Sequence, residues 1–398
     1  MAHISGFHRL SPDERRQALL SVCASETLHA LVDSETAVPL AAYDRMTENV
    51  IGTFRLPLSA VTAVLVNGIA HPAVMVTEEP SVVAAANAAT ALFERCGGVH
   101  AELMAPVTSA QIVLSAEDPV QAFDACAHLE SMRMCWLEMA NACDPKLVAV
   151  GGGAFDITFE CMRRAGDKHT FIVARLDVHT ADIMGANAVN TMAEAILDAI
   201  ANEIASWRPD ANVEKLMAIL TNAAPGRLVR ASVRLPFKHL DGYRKHVPGQ
   251  HLAHKIELAS RFAAASPERA VTHNKGILNG ILAAAIPLGQ DTRAIAASAL
   301  DHACRSGTHK PLSAWTVSED SLLGVLTMPI VAGSVGGTRH ALPTIAAAFD
   351  FDKIRSYEDL CALLSALGLA QNFAALAALV TDGIQQGHMK LHRRKRDL

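Results

Sequence analysis

Four short stretches of the chain carry residue types suited to proton transfer and carbonyl chemistry. Glu78-Glu79-Pro80-Ser81 places two adjacent carboxylates ahead of an alanine-rich segment. Proximity or desolvation there raises one carboxyl into the range of a general acid; the plain alternative is acidic charge at a helix N-terminus. His273-Asn274-Lys275-Gly276 runs into ILNGILAAAIP, so Lys275 stands at the mouth of an apolar segment with Asn279 one turn later. A lysine so placed either snorkels to water or serves as a fixed cation for a carbonyl oxygen. Asp291, in Gly289-Gln290-Asp291-Thr292-Arg293, has the spacing of an N-cap for the next helix. His388, after Gly387, is either a proton donor or a surface histidine near the end of the chain.

Other chemistries find no support. There is no G-x-G-x-x-G, no G-x-x-x-x-G-K-[ST] and no G-x-S-x-G elbow, while Gly151-Gly152-Gly153 and Gly333-x-x-Gly336-Gly337 are glycine loops of unspecific type. His388 and His392 have helical metal-ligand spacing, but no carboxylate or cysteine completes a set, and no metal is expected. Eight cysteines are scattered without a C-x-x-C pair, which fits reduced, mostly buried thiols.

The elements that must position these residues follow from length and texture. A chain of 398 residues, 51% hydrophobic and 19% charged, is a well-packed globule of two domains or more. Its formal charge of −5 argues against a nucleic-acid partner, and the only basic run is the tail around Arg393–Arg396. Apolar stretches are broken before the roughly 20 residues a membrane span needs. The opening MAHISGFHRLSPDERR lacks an apolar signal core, so a cytoplasmic protein is expected. Ser11-Pro12-Asp13-Glu14 reads as a capping box, and SVVAAANAATALFERC as a small-residue helix stopped by Gly97-Gly98. From about Ser109 the texture changes to short β-rich pieces (AQIVL, KLVAV, FDITF, HTFIVARLDV) between helical stretches, and Ala-rich helices resume at HLAHKIELASRFAAA. The middle therefore looks inserted into the flanks.

Seven motifs in order, Glu48-Asn49-Val50-Ile51-Gly52, Glu79-Pro80-Ser81, Asp182-Ile183-Met184-Gly185-Ala186-Asn187, His273-Asn274-Lys275-Gly276, Gly289-Gln290-Asp291, Gly333-Ser334-Val335-Gly336-Gly337 and Gly387-His388-Met389, together resemble class II 3-hydroxy-3-methylglutaryl-CoA reductase over about residues 7 to 392. The resemblance implies an α+β fold. A large helix-rich substrate domain (1–105 and 222–383) would carry an inserted smaller α/β NAD(P)-binding domain (106–221), followed by a C-terminal remnant (384–398) with His388. It also implies reduction of the acyl-CoA thioester to mevalonate and CoA through bound mevaldehyde by two nicotinamide hydrides, a reaction some members run in reverse. By matched position, Lys275 resembles the catalytic cation, Glu79 the acid that protonates the aldehyde oxygen, Asp291 the carboxylate sustaining them, and His388 the proton donor to the departing thiolate. Ser81, Arg269 and Asn279 resemble the grip on substrate, with the Arg269 fork suited to a carboxylate.

The same resemblance assigns the cofactor to Asp182, Met184, Gly185 and Asn187, with Ile183 where the pattern more often has Ala, and to Asn222. Asp144, seven residues before Gly151, implies NAD rather than NADP, since a carboxylate accepts from the ribose 2′-hydroxyl and repels a 2′-phosphate. The family forms dimers in which substrate on one subunit meets cofactor from the other, so a homodimer or a multiple of it is expected. It also continues past Gly-His-Met as a closing helical flap, whereas this sequence ends at Leu398. The rival expectation is thus a non-catalytic CoA-thioester-binding paralogue.

Overall fold

The computed structural model describes residues 3–33, 38–244, 247–340 and 342–383. In chain order the elements are α1 (Pro12–Leu19), α2 (Ser25–Asp33), α3 (Leu40–Asp44), β1 (Leu58–Val66), β2 (Ile69–Val76), α4 (Val82–Arg95), β3 (His100–Leu103), β4 (Val107–Ala116), α5 (Pro119–Ser131), α6 (Arg133–Cys143), α7 (Pro145–Ala149) and β5 (Gly153–Met162). Then follow β6 (Thr170–His179), α8 (Ala186–Trp207), β7 (Val213–Leu220), β8 (Leu228–Pro236), α9 (Phe237–Leu240), α10 (Gly249–Ala265), α11 (Pro267–Ala285), α12 (Thr292–Cys304), β9 (Ser313–Val317), β10 (Ser321–Pro329), α13 (Pro343–Asp352) and α14 (Tyr357–Leu379). Mixed helices and sheets make the fold α+β. Two compact units result, 1–103 with 228–398, and 104–227. Their boundaries fall two residues before and six after those read from the sequence.

The first unit contains the β1-β2 hairpin and an antiparallel sheet of order β3-β8-β10-β9. Ser11 and Glu14 form the reciprocal box that starts α1. Gly97 and Gly98, at φ of 97° and 86°, end α4 as the left-handed stop requires. The centre of the unit is α14, hydrophobic on all sides. By length and composition this helix is apolar enough to cross a membrane, which reading for broken apolar runs did not reveal, but 94% of its apolar window is buried within the protein. Its Phe373 ring lies 5.1–5.5 Å from Phe93, Tyr243 and Trp315. Truncating such an aromatic costs roughly 3–5 kcal/mol. Helix α11 lies directly against α14: a Cβ on Gly280 would come within 2.7 Å of the Leu367 carbonyl, and one on Gly368 within 2.7 Å of Ile281. Small residues are therefore what lets α11 sit this deep.

The second unit orders its strands β5-β6-β4-β7, every pair antiparallel. Helices follow β4 and β6 and pack on one face, the split βαβ arrangement. One local expectation fails here. KLVAV, read as a strand for its valines, is helix α7, because Asp144 accepts from the Leu147 amide and Pro145 occupies the first helical position. Cap and proline outweigh β-propensity in so short a piece. The thiols also differ from expectation: only Cys361 is buried, Cys135 and Cys304 are exposed, and the rest are half-buried. Cys96, Cys143, Cys161 and Cys304 stand at or beside element ends, where a small side chain stays partly open.

Candidate active site

Helix α11 begins at Pro267, with Ser266 capping the Arg269 amide. Lys275 is therefore mid-helix, just ahead of the mostly buried stretch 277–285. Its Nζ lies 3.2 Å and 3.4 Å from the two Glu79 carboxylate oxygens. Both side chains remain partly exposed, 61% for Lys275 and 40% for Glu79, so the pair faces open space rather than the core. The two preceding residues anchor it. Asn274 accepts from the Leu312 amide and donates to the Lys310 carbonyl and His309 Nε2. His273 Nε2 lies 2.6 Å from Ser313 Oγ and 3.1 Å from Asn372 Nδ2, and Asn372 Oδ1 accepts from Ser313 and Trp315 Nε1. Burial, with the Arg269 charge adding to it, pushes the His273 imidazole down to about 4, so it is neutral near pH 7. This buried network fixes the helix from which Lys275 projects.

Glu79 sits in the turn between β2 and α4, its amide held by Thr77 Oγ1. Ser81 closes that turn at φ 78°, a conformation rare for a residue with a Cβ, and its hydroxyl is buried without a partner among the described residues. Strain and an orphaned polar atom in one residue mark a position shaped for something other than stability. Asn279 follows Lys275 by one helical turn, on the same face. The half-buried Arg269 guanidinium, on the first turn, has no side-chain partner among the described residues, and burial lowers its proton affinity.

Asp291 caps α12, accepting from the Arg293 and Ala294 amides while pairing with the Arg293 guanidinium. Burial pushes its carboxyl up, but those amides and the guanidinium outweigh it and hold the group below the usual range. Among the described residues no hydrogen bond joins it to Lys275 or Glu79. Beside it Gln290 accepts from the Gly333 amide and donates to the Gly333 carbonyl, latching the second glycine loop. His388 and the basic tail lie outside the described residues.

In the second unit Asp182, Met184 and Gly185 lie in the loop between β6 and α8, α8 begins directly after Gly185 at φ 92°, and Asn187 is in its first turn. A Cβ on Gly185 would meet Thr180 Cγ2 at 2.4 Å, so glycine is required twice over. Beneath the loop lies Arg227, which the sequence reading missed. It is fully buried and donates to Thr108 Oγ1 at 3.0 Å, to Thr180 Oγ1, and to the Ile183 and Met184 carbonyls at 3.1 Å and 2.8 Å. Its acceptors stand 119 and 47 residues away in sequence, so spacing carried no signal. Asn222 is exposed after β7, and Asp144 uses one oxygen to cap α7, with no partner for the other among the described residues.

The family model for hydroxymethylglutaryl-coenzyme A reductase matches residues 11–393. The chain is 37% identical to the 3-hydroxy-3-methylglutaryl-coenzyme A reductase of Archaeoglobus fulgidus, over 99% of this chain and 86% of that protein. A probable 3-hydroxy-3-methylglutaryl-coenzyme A reductase of Borreliella burgdorferi is 33% identical over 88% and 77% of the two chains. Among solved structures, the class II enzyme of Streptococcus pneumoniae bound to NADPH in open conformations superposes with a TM-score of 0.86, at 38% identity, covering 95% of this chain and 99% of that one. A seven-motif resemblance, a near full-length family match and a shared fold converge: the chain belongs to the hydroxymethylglutaryl-coenzyme A reductase family, on its class II side.

Proposed function

We propose that this protein interconverts 3-hydroxy-3-methylglutaryl-CoA and mevalonate plus CoA, with NADH as the preferred reductant. The observation that carries the reading is the Lys275–Glu79 pair, a fixed ammonium touching a carboxylate at the open surface of a rigidly packed helix. Reduction of a thioester or aldehyde places negative charge on the carbonyl oxygen, which an oriented ammonium stabilises. Glu79 then delivers the proton that turns the oxyanion into an alcohol. Asp291 keeps its assignment from its motif, as a fixed negative charge at the start of α12. His388 is assigned the proton that the departing thiolate takes up, because a thiolate leaves more readily once protonated. Ser81 and Asn279 supply hydrogen bonds to the substrate, and the open Arg269 fork suits its free carboxylate.

A bound nicotinamide cofactor supplies the two hydrides. The residues present fit such a group: Asp182, Met184, Gly185, Asn187 and Asn222 would hold it, around a turn whose glycine a Cβ would close. Asp144 has one carboxylate oxygen engaged and the other available to a ribose hydroxyl, which supports NADH although the pneumococcal relative was solved with NADPH. Asp144→Ser is expected to move the NADH/NADPH ratio of kcat/KM about ten-fold toward NADPH; an unchanged ratio removes the assignment.

A homodimer completes the proposal. Residues 50–57 form an arm without regular secondary structure, and its Ile51 and Phe54 are 99% and 89% exposed, the kind of apolar surface a partner covers. Sedimentation should give at least twice the chain mass. The activity itself is tested by following nicotinamide absorbance with the acyl-CoA and NADH or NADPH, and in reverse with mevalonate, CoA and NAD. Turnover in either direction is the expected result; none from folded, dimeric protein would leave a thioester-binding paralogue.

A further inference from the structure

We infer that Arg227 is the positioning residue of the cofactor loop, and that the loop's capacity to bind depends on it. The inference rests on the reading that residues 182–187 hold the nicotinamide cofactor. Arg227 is buried to the last atom and donates to two backbone carbonyls within that loop, those of Ile183 and Met184, at 3.1 Å and 2.8 Å. Every peptide bond among the described residues is trans. In a planar trans peptide the carbonyl and amide point in opposite directions. Drawing the Ile183 and Met184 carbonyls toward the guanidinium therefore turns the Met184 and Gly185 amides away from it. They lie at the start of the 22-residue α8, whose first-turn amides are unbonded as in any helix. Arg227 thus converts an irregular turn into a row of outward donors.

Two threonines complete the arrangement. Thr108 and Thr180 each accept from Arg227, and each is tied back into the unit, Thr180 Oγ1 to the Pro106 carbonyl at 2.9 Å and Thr108 Oγ1 to the Met184 carbonyl at 3.4 Å. The guanidinium reaches Thr108 through Nε, while Nη2 faces Thr180 Oγ1 and the two loop carbonyls. Lysine would lose the separate Nε contact to Thr108 and the planar guanidinium that aims Nη2 at both carbonyls. Because Arg227 is fully buried behind the loop, its effect should fall on cofactor affinity rather than on the substrate.

The test uses the full-length enzyme with Arg227→Lys and Thr108→Val, measuring kcat, both KM values and the melting temperature. Expected for Arg227→Lys is a cofactor KM raised roughly ten-fold or more, with the acyl-CoA KM within about two-fold. Thr108→Val keeps the side-chain shape, removes one acceptor of Arg227 together with the 3.4 Å bond to the Met184 carbonyl, and should raise the cofactor KM about three-fold. If Arg227→Lys does not fold, Thr108→Val decides alone. An unchanged cofactor KM, or equal rises in both KM values, would overturn the inference. Wild-type turnover reports separately on the proposed function; were it absent, calorimetric titration of NADH and NADPH into wild type and Thr108→Val would still distinguish a supported loop from an unsupported one.

Discussion

Helix α11 and the loop ahead of α8 present their proposed functional groups by opposite means. On α11 the group is a side chain, Lys275, and the support is a buried network of His273, Asn274, Ser313 and Asn372 behind it. Ahead of α8 the groups are backbone amides, and the support is one buried arginine that holds the carbonyls on their far side. A side chain carries its chemistry in its identity, so it can be recognised wherever it stands. Backbone donors exist at nearly every residue and become a site only when something distant orients them.

Breaking the first region at its reactive atom should have the largest effect. Lys275→Ala is expected to lower turnover by roughly 10² or more without changing the melting temperature, since the network lies behind the lysine rather than through it. Retained turnover would remove Lys275 from the chemistry.

Acid probes the network itself. The folded-state proton affinity of His273 is depressed, from the usual 6.5 to about 4. The unfolded chain therefore takes up the proton first as pH falls. Its contribution is fully present above about pH 6.5 and is lost progressively down to about pH 4, a range worth up to about 3 kcal/mol. Denaturant titrations of wild type and His273→Gln at pH 7.5 and pH 4 should show the wild type losing more stability across that interval. Equal losses would mean that the imidazole is not held neutral.

A pair of alanine substitutions sharpens the contrast at smaller amplitude. Gly185 occupies a left-handed φ and abuts Thr180, so Gly185→Ala should weaken cofactor binding roughly ten-fold, read as KM. Gly276, next to Lys275, lies within a helix with nothing within 4 Å of the added Cβ, so Gly276→Ala should raise stability by up to about 1 kcal/mol, read by thermal melting. Finding both equally damaging would erase the distinction between a backbone site and a side-chain site.

The same distinction separates what sequence made legible from what it hid. The α1 box, the Gly97-Gly98 stop and the Asp291 cap were readable because each is a local rule acting over a few residues. Helix α7 is harder to read, because its valines suggest a strand while the Asp-Pro start makes it a helix. Lys275 and Glu79 could be singled out individually, but nothing in spacing said that residues 196 apart would touch. His273 and Asn274 belonged to a motif, yet their buried structural role follows from partners on β9 and α14 and on the segment 309–312. Arg227 was invisible for the same reason: an arginine at a strand start is ordinarily exposed, and only tertiary structure brings two threonines and two carbonyls around it.

The central claim, that Lys275 and Glu79 act as one unit on the carbonyl oxygen, is tested most directly by a double-mutant cycle on kcat with Lys275→Ala, Glu79→Gln and the double variant, using the acyl-CoA and saturating reductant. The double variant should be about as slow as Lys275→Ala alone, because a proton donor contributes little once the oxyanion it serves is no longer held. Losses that simply multiply would contradict it and make the contact between them incidental.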